Sequence, residues 1–405
     1  MNWLSLNIGG GMFSKDKQNW VRKLCNENSI SVLGLQETKM ISLNYFAVKA
    51  FWGNFHFKVA SSCARGRSGG IVTLLDPRFF TSSRVISFDN LLIVQGSFVN
   101  SSSVFYLINV YAPQPLHLKK HLWLFINNFM TSNGGDYIFF GDFNSVRTPS
   151  ERMGTNFCQR TADAFNDFII TGNLVDIPLG GRAYTRVNKA FTKRAKLDIF
   201  LVSNGFLCAF PHLTGTIISN LWSDHCPILL RNKMLDYGPS PFRLFKSWFE
   251  FDGFEDTVIN TWNDVNTYLS SNPHIRLKDK LKRVKIALKA WHSDIRTKAI
   301  FDKKTLLNQL DDIDSQLNAS VNPTNLVVLR STILKDLAFL ESVESANLAQ
   351  KNKKLAICLG DENSSFFHTS LNRKRRKDQI NGIMHNGNWE TSPLLVKKVF
   401  VDFFF

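Results

Sequence analysis

The sequence predicts an α/β protein: a four-layer sandwich of two packed mixed β-sheets flanked by helices, followed by a smaller all-α region. Three observations lead there. From Met1 to about Arg231, short apolar runs alternate with turn residues. At Tyr237-Gly238-Pro239-Ser240-Pro241, two prolines and a glycine interrupt helix and strand alike. Beyond that break, apolar residues recur at steps of three and four.

Taken in order, strands are expected at Ser31 to Leu35, Gly70 to Leu75, Val104 to Val110, Tyr137 to Phe140, Leu197 to Val202 and Ile228 to Leu230. Helical stretches lie between some of them, around Trp20 to Asn26 and Leu118 to Met130. After the break, Leu277, Leu281, Val284, Leu288, Trp291 and Ile295, then Leu326, Leu329, Ile333, Leu337 and Leu340, predict two or three amphipathic helices. The runs are too short for a coiled coil, so ordinary helix-on-helix packing is expected. The boundaries that follow are a sandwich domain over 1–234, a linker over 235–249, a helical connector over 250–350 and a basic segment over 351–405.

A chain of 405 residues that is 44% hydrophobic can bury a substantial core and is too long for one average domain. Its net charge of +16 favours a polyanionic partner such as nucleic acid, because Lys and Arg release counterions from a phosphate backbone. Cys25, Cys63, Cys158, Cys208, Cys226 and Cys358 form no close pair of the zinc-knuckle or redox kind, so free thiols in a reducing compartment are expected. No stretch reaches the roughly 18 apolar residues of a membrane span, and no basic region and cleavage site follow Met1. A soluble nuclear or cytoplasmic protein is the expectation.

Four segments place a polar side chain at the end of an apolar run, where a rigid scaffold can present it. They are Leu4-Ser5-Leu6-Asn7, Val32-Leu33-Gly34-Leu35-Gln36-Glu37, Ile138-Phe139-Phe140-Gly141-Asp142-Phe143-Asn144, and Ser223-Asp224-His225-Cys226-Pro227-Ile228. Asp142 and Asn144 point the same way by the period of two. Singly, each is most simply a solvated strand end; together, carboxylates and amides suit a hard divalent cation such as magnesium. Glu37 is the best candidate for a direct ligand, with Asn7 close by.

In this order, the segments resemble the motifs of the endonuclease/exonuclease/phosphatase superfamily, which includes pancreatic deoxyribonuclease and the apurinic/apyrimidinic endonucleases. Gly141 to Arg147 followed by Glu151-Arg152 is similar to the form found in plant non-LTR, or LINE-type, retrotransposons. Arg67-Ser68-Gly69-Gly70-Ile71, Asn109-Val110-Tyr111-Ala112-Pro113, Pro178-Leu179-Gly180-Gly181-Arg182 and Lys196-Leu197-Asp198 fit it too. The resemblance covers residues 1 to roughly 232, and Gly360 to His368 is similar to the stretch preceding the reverse transcriptase of those elements. It implies that 351–405 is a lead-in to a missing polymerase, since no Tyr-x-Asp-Asp or Phe-x-Asp-Asp pair occurs, and the final Phe403-Phe404-Phe405 looks like an interruption of a larger reading frame.

What the resemblance implies is a magnesium-dependent DNA endonuclease, with manganese as a substitute, that leaves a 3′ hydroxyl to prime reverse transcription. Asp142 would orient or deprotonate water, Asn144 would hold phosphate oxygens, and Tyr111 would contact the phosphate. His225 would stabilise the transition state or assist the leaving group, with Asp198 fixing its tautomer. Asp224 would sit near the metal or support His225. Asn7, Arg67 and Arg147 are the expected substrate contacts, and Glu37, Asn7 and Asp224 the metal set. The partners implied are double-stranded DNA and the element's RNA.

Gly9, Arg186 and Ile199 depart from the family pattern, which commonly has arginine, tryptophan and arginine there. Arg373 to Lys377 reads as a nuclear import signal, a nucleic-acid patch or a solvated loop. Two other readings stay open: a phosphatase or phospholipid hydrolase of the same fold, and a silent nucleic-acid-binding remnant.

Overall fold

The computed structural model describes residues 1–53, 56–65, 69–233, 238, 242–264, 272–319, 324–352, 380 and 382–404. Arg67, Cys358, most of the 237–241 break, the 360–368 segment and the basic 373–377 cluster lie outside them.

The apolar runs form strands because every second side chain finds an interior. One sheet contains β1 (Asn2–Asn7), β2 (Val32–Gln36), β3 (Lys58–Ser62), β4 (Ile71–Leu75), β11 (Leu179–Gly180), β15 (Leu213–Ile217) and β16 (Ile228–Asn232). They run in the order β11-β15-β16-β1-β2-β4-β3. The second contains β5 (Phe80–Phe88), β6 (Leu91–Phe98), β7 (Phe105–Tyr111), β8 (Asp136–Asp142), β10 (Val175–Asp176) and β14 (Asp198–Val202), in the order β10-β14-β8-β7-β6-β5. Both are mixed: β1 is parallel to β2 and β7 to β8, while β16 and β14 pair antiparallel. Short strands β9 (Arg152–Met153), β12 (Arg186–Val187) and β13 (Arg194–Ala195) make a small third sheet.

Alternation sorts the side chains into layers. Ile138 and Phe140 of β8 join Trp3, Val32, Leu107 and Phe200 in the core between the sheets. Tyr137 and Phe139 face the other way, against Trp123 and Ile126 of α3 (Leu116–Ser132) and Phe165 and Phe168 of α4 (Gln159–Thr171). On the far side, Leu4, Leu6, Leu33 and Leu35 pack under α1 (Lys15–Glu27) and α2 (Tyr45–Trp52). Helices, sheet, sheet and helices make four layers, as the sequence predicts. The sheets approach closely at Gly34, where a Cβ would overlap the Phe140 ring. Each fully buried large apolar side chain contributes about 1.5–3 kcal/mol, so this core supplies most of the driving force.

By contacts the chain divides into two units, Met1–Tyr237 with Ile380–Phe405, and Gly238–Gln379. The first therefore also includes, besides α5 (Asn204–Ala209), the hairpin β17 (Ile383–His385) and β18 (Asn388–Glu390) and a further helix, Pro393–Phe404. The second unit is helical: α6 (Phe254–Asn263), α7 (Pro273–Ala319) and α8 (Thr324–Asn352). Two small clusters hold it, Trp248, Phe254 and Leu288 with Val284 and Trp291, and Ile313, Ile333 and Leu337 with Leu306, Leu310 and Leu326. The expected stripe is not buried throughout: Leu277 and Leu281 remain 50% and 55% exposed, and Leu329 51%. Spacing gives a helix its face, but burial needs a partner along the whole length, and α7 is 47 residues long.

Candidate active site

The site sits where the inward-facing rows of the two sheets run out of apolar residues. Trp3, Ser5 and Asn7 share one face of β1; Ile138, Phe140 and Asp142 share one face of β8; Phe200 and Asp198 do so on β14, and Leu107 and Tyr111 on β7. Strand register aligns the last members, since Asp142 pairs with Tyr111 on one side and Asp198 on the other. Asn7 reaches across from the first sheet, and its Nδ2 donates to Asp142 Oδ2 at 2.9 Å. Polar ends of four apolar rows thus meet at one rim.

His225 enters on the segment before β16. Its backbone N–H donates to Ser223 Oγ at 3.1 Å, and that hydroxyl donates to the Asn7 carbonyl at 2.7 Å. The ring's Nδ1 lies 2.8 Å from Asp198 Oδ2, and Nε2 lies 3.8 Å from Asp142 Oδ2. All three side chains are buried. Burial opposes charge on the ring, but the Asp198 carboxylate bonded to it, and Asp142 and Asp224 beyond, outweigh that and raise it to about 9. Asp142 is pushed above the usual carboxylate range by burial, and the Asp198 charge pushes the same way, while His225, the Asn144 N–H and Asn7 pull it back. The favoured charge state is an imidazolium between two carboxylates.

Asn144 turns the chain beneath Asp142, with φ +48°, a conformation asparagine tolerates better than most residues. Its backbone N–H donates to Asp142 Oδ1 at 2.8 Å. Its side-chain amide donates to the Ala112 carbonyl at 2.7 Å and accepts from Gln114 Nε2 at 2.9 Å. The side chain expected to hold phosphate oxygens is thus bonded at both ends to the scaffold, and its clearest action is through its backbone on Asp142.

Glu37 follows β2 with φ +52° and lies beside Tyr111. Burial, with Glu37 and Asp142 nearby, pushes the Tyr111 phenol up, so it stays protonated. Lys39 pairs with Glu37 at 3.2 Å, and Arg186 with Asp224 at 3.1 Å. Among the described residues, the buried group of histidine and carboxylate side chains whose donor atoms lie within 4.8 Å of one another is Asp142, Asp198 and His225. His225 Nδ1 is committed to Asp198, and a hard cation prefers oxygen. That group therefore suits proton handling better than ion binding. Glu37, Asn7 and Asp224 offer oxygen donors only, and the cations beside the two carboxylates are part-exposed chains whose pairing contributes about 0–1 kcal/mol, little resistance to displacement by an ion. The donor set fits a divalent metal.

Arg147 is engaged within the fold: its guanidinium bonds Asn166 at 3.0 Å and Asp176 at 2.9 Å, tying α4 to β10. Sequence reading missed several supporting residues. Thr185 Oγ1 accepts from the Leu197 and Asp198 N–H groups at 2.9 and 3.0 Å, fixing the start of β14. Lys119, buried in α3, donates its Nζ to the Asn144 carbonyl, and burial pushes its ammonium down to about 8. Deeper between the sheets, Gln36 donates to Ser5 at 3.0 Å and to Asn109 at 2.6 Å. The one available signal was a polar residue at an inward position of an apolar run, and Asn109 and Gln36 carry it.

The chain belongs to the Endonuclease/Exonuclease/phosphatase family, whose model matches residues 4–225, more than half its length. No curated protein matches it. Among solved structures it is similar to the AP endonuclease LMAP of Leishmania major, at 17% identity and TM-score 0.46, over 56% of this chain and 86% of that one. It is similar to the 3′ phosphatase NExo of Neisseria bound to product DNA hairpin, at 15% identity and TM-score 0.46, over 58% and 100%. The endonuclease domain of TRAS1, a telomere-specific non-LTR retrotransposon, matches at 15% identity and TM-score 0.43, over 56% and 96%.

Proposed function

We propose that this chain is a magnesium-dependent DNA endonuclease of a LINE-type retrotransposon, which nicks target DNA and leaves a 3′ hydroxyl that primes reverse transcription. The observation that carries it is the buried row of Asp198, His225 and Asp142, with 2.8 and 3.8 Å between successive groups, at the rim where Asn7 and Tyr111 also end. Membership of the family, the net charge of +16 and the retrotransposon-like sequence motifs support the choice of a DNA phosphodiester.

Glu37, with Asn7 and Asp224, would hold the cation, which when bound acts as a Lewis acid on the scissile phosphate. Asp142 takes a proton from water as the water oxygen bonds to phosphorus and the bond from phosphorus to the 3′ oxygen breaks, and the departing oxygen takes a proton from solvent water to become the 3′ hydroxyl. A carboxylate held above its ordinary range is a better base for this step. The His225 imidazolium faces the negative charge growing on the phosphate, and Asp198 keeps the ring oriented and charged. Tyr111, protonated, donates to a phosphate oxygen.

Purified protein incubated with supercoiled plasmid tests the reading. Open circles are expected with magnesium, and none with EDTA or with Glu37→Ala. Folded protein that binds DNA but does not nick it would overturn endonuclease activity in favour of a silent remnant. Phosphate release from a 3′-phosphorylated oligonucleotide without nicking would overturn it in favour of a phosphatase.

A further inference from the structure

The Pro178 to Arg182 motif has no place in the chemistry above, yet both of its glycines lie against one side chain far along the chain. Leu179 and Gly180 form β11, an edge of the seven-stranded sheet that pairs only with β15 among the described strands. A Cβ at Gly180 would stand 2.7 Å from Trp389 Cε2, closer than real Cβ atoms approach, and 3.0 Å from its Nε1. One at Gly181 would meet Trp389 Cβ and Cγ at 3.8 Å, in ordinary contact. A Cβ at Gly382 would likewise stand 2.7 Å from Trp389 Cε2. The indole lies against backbone from two parts of the chain, and its Nε1 is buried.

We infer that Gly180 and Gly181 form a seat for Trp389, and that through it the β17–β18 hairpin docks on the sandwich as a structural part of that unit. Two arguments carry this. Glycine at 180 has no conformational reason of its own, since its φ is not in the left-handed region; the space the indole occupies is the reason. An edge strand is also an exposed template for wrong pairing, which proteins commonly cover. The seat stands next to residues that support the site. Arg182 Nη2 donates to Ser219 Oγ at 3.1 Å on the segment leading to His225, and Thr185 holds the N–H of Asp198. The hairpin thereby restrains the 179–185 segment that positions the Asp198 backbone.

The test is a double-mutant cycle in the full chain. Gly180→Ala is expected to lower the melting midpoint of the sandwich by about 3 °C when Trp389 is present and to be nearly neutral in a Trp389→Ala background, because the added methyl then has room. Trp389→Ala is expected to speed amide exchange across 179–185 by about tenfold while leaving β8 unchanged. Equal effects of Gly180→Ala in both backgrounds, or unchanged exchange at 179–185, would overturn the seat. Neither readout depends on nuclease activity, so the seat stands or falls apart from the proposed function.

Discussion

The sandwich unit and the helical unit use apolar residues in different ways. In the sandwich, rows of inward side chains from two sheets interlock over one continuous core, and each row that ends in a polar residue delivers it to a place fixed by its neighbours on both sides. In the helical unit, two small clusters lie apart, and side chains such as Leu277, Leu281 and Phe301 stay exposed. Interlocked sheets over-determine position, which a proton-handling site requires at the scale of a few tenths of an ångström. Long helices held at two clusters do not. The chemistry is therefore expected to lie in the sandwich, and each prediction below sharpens or breaks that contrast.

The largest effect is expected from Asp142→Asn, which keeps the shape and removes the carboxylate proposed as the base. Nicking of supercoiled plasmid should fall by about a thousandfold, within the range general-base removal produces, with the circular dichroism spectrum unchanged. Substitutions of polar residues on α7, such as Lys285→Gln, should leave the single-turnover nicking rate unchanged. A comparable loss from both would sink the assignment of chemistry to the sandwich.

Next is packing. Phe140→Ala empties the space between the sheets under Gly34 and should cost about 3–5 kcal/mol, whereas Leu337→Ala in the helical cluster should cost about 2 kcal/mol. Urea unfolding followed by segment-resolved hydrogen exchange separates them. Phe140→Ala should shift exchange in β1, β2, β7 and β8, and Leu337→Ala should shift it in α7 and α8. A single transition moved equally by both would show that the two regions are not separate units of stability.

These differences also decide what was legible in the sequence. Apolar runs bordered by Asn7, Glu37, Asp142 and Asp224-His225 are local patterns, and they mark which residues stand at strand ends. The four-layer order followed from many short apolar runs separated by turn residues, with a few helical stretches between them. What was hidden depends on distant partners. Nothing around Lys119 marks a lysine that bonds the Asn144 carbonyl, and nothing around Thr185 marks a hydroxyl that closes the start of β14. The meeting of Asp142 with Asp198 depends in the same way on a distant partner, the register between β8 and β14, and not on either strand alone. On the helices, spacing marked a stripe that continues past the partner able to cover it.

A third effect follows from the buried lysine. Burial pushes Lys119 down to about 8, against about 10.4 for an exposed lysine, so between those values the unfolded chain binds more protons than the folded one. Stability linked to this group therefore rises with pH: its cost is full below pH 8 and is relieved by about pH 10.5. Lys119→Met should remove that slope. The difference between wild type and variant, followed by urea unfolding from pH 7.5 to 10.5, should change in favour of wild type by up to about 2 kcal/mol. A constant difference over that range would mean that the ammonium titrates as it does in water.

The smallest effect compares the same kind of bond in the two units. Arg147 and Lys303 each neutralise carboxylates, Arg147 with Asp176 at 2.9 Å and Lys303 with Glu344 at 3.1 Å. Asp176 is largely shielded from water and Arg147 also bonds Asn166, so replacing Arg147 by Ala leaves the Asn166 side-chain oxygen without that donor and Asp176 with Lys196 alone, at 3.6 Å. Glu344 is mostly exposed, and water replaces the lysine at once. Arg147→Ala should therefore cost about 1–3 kcal/mol and Lys303→Ala under about 1 kcal/mol, with only the second loss shrinking further in high salt. Measured in low and high salt by urea unfolding, equal costs would mean that the sandwich holds its ion pairs no more tightly than the helices do. The account of how its site side chains are fixed would then have to rest on packing alone.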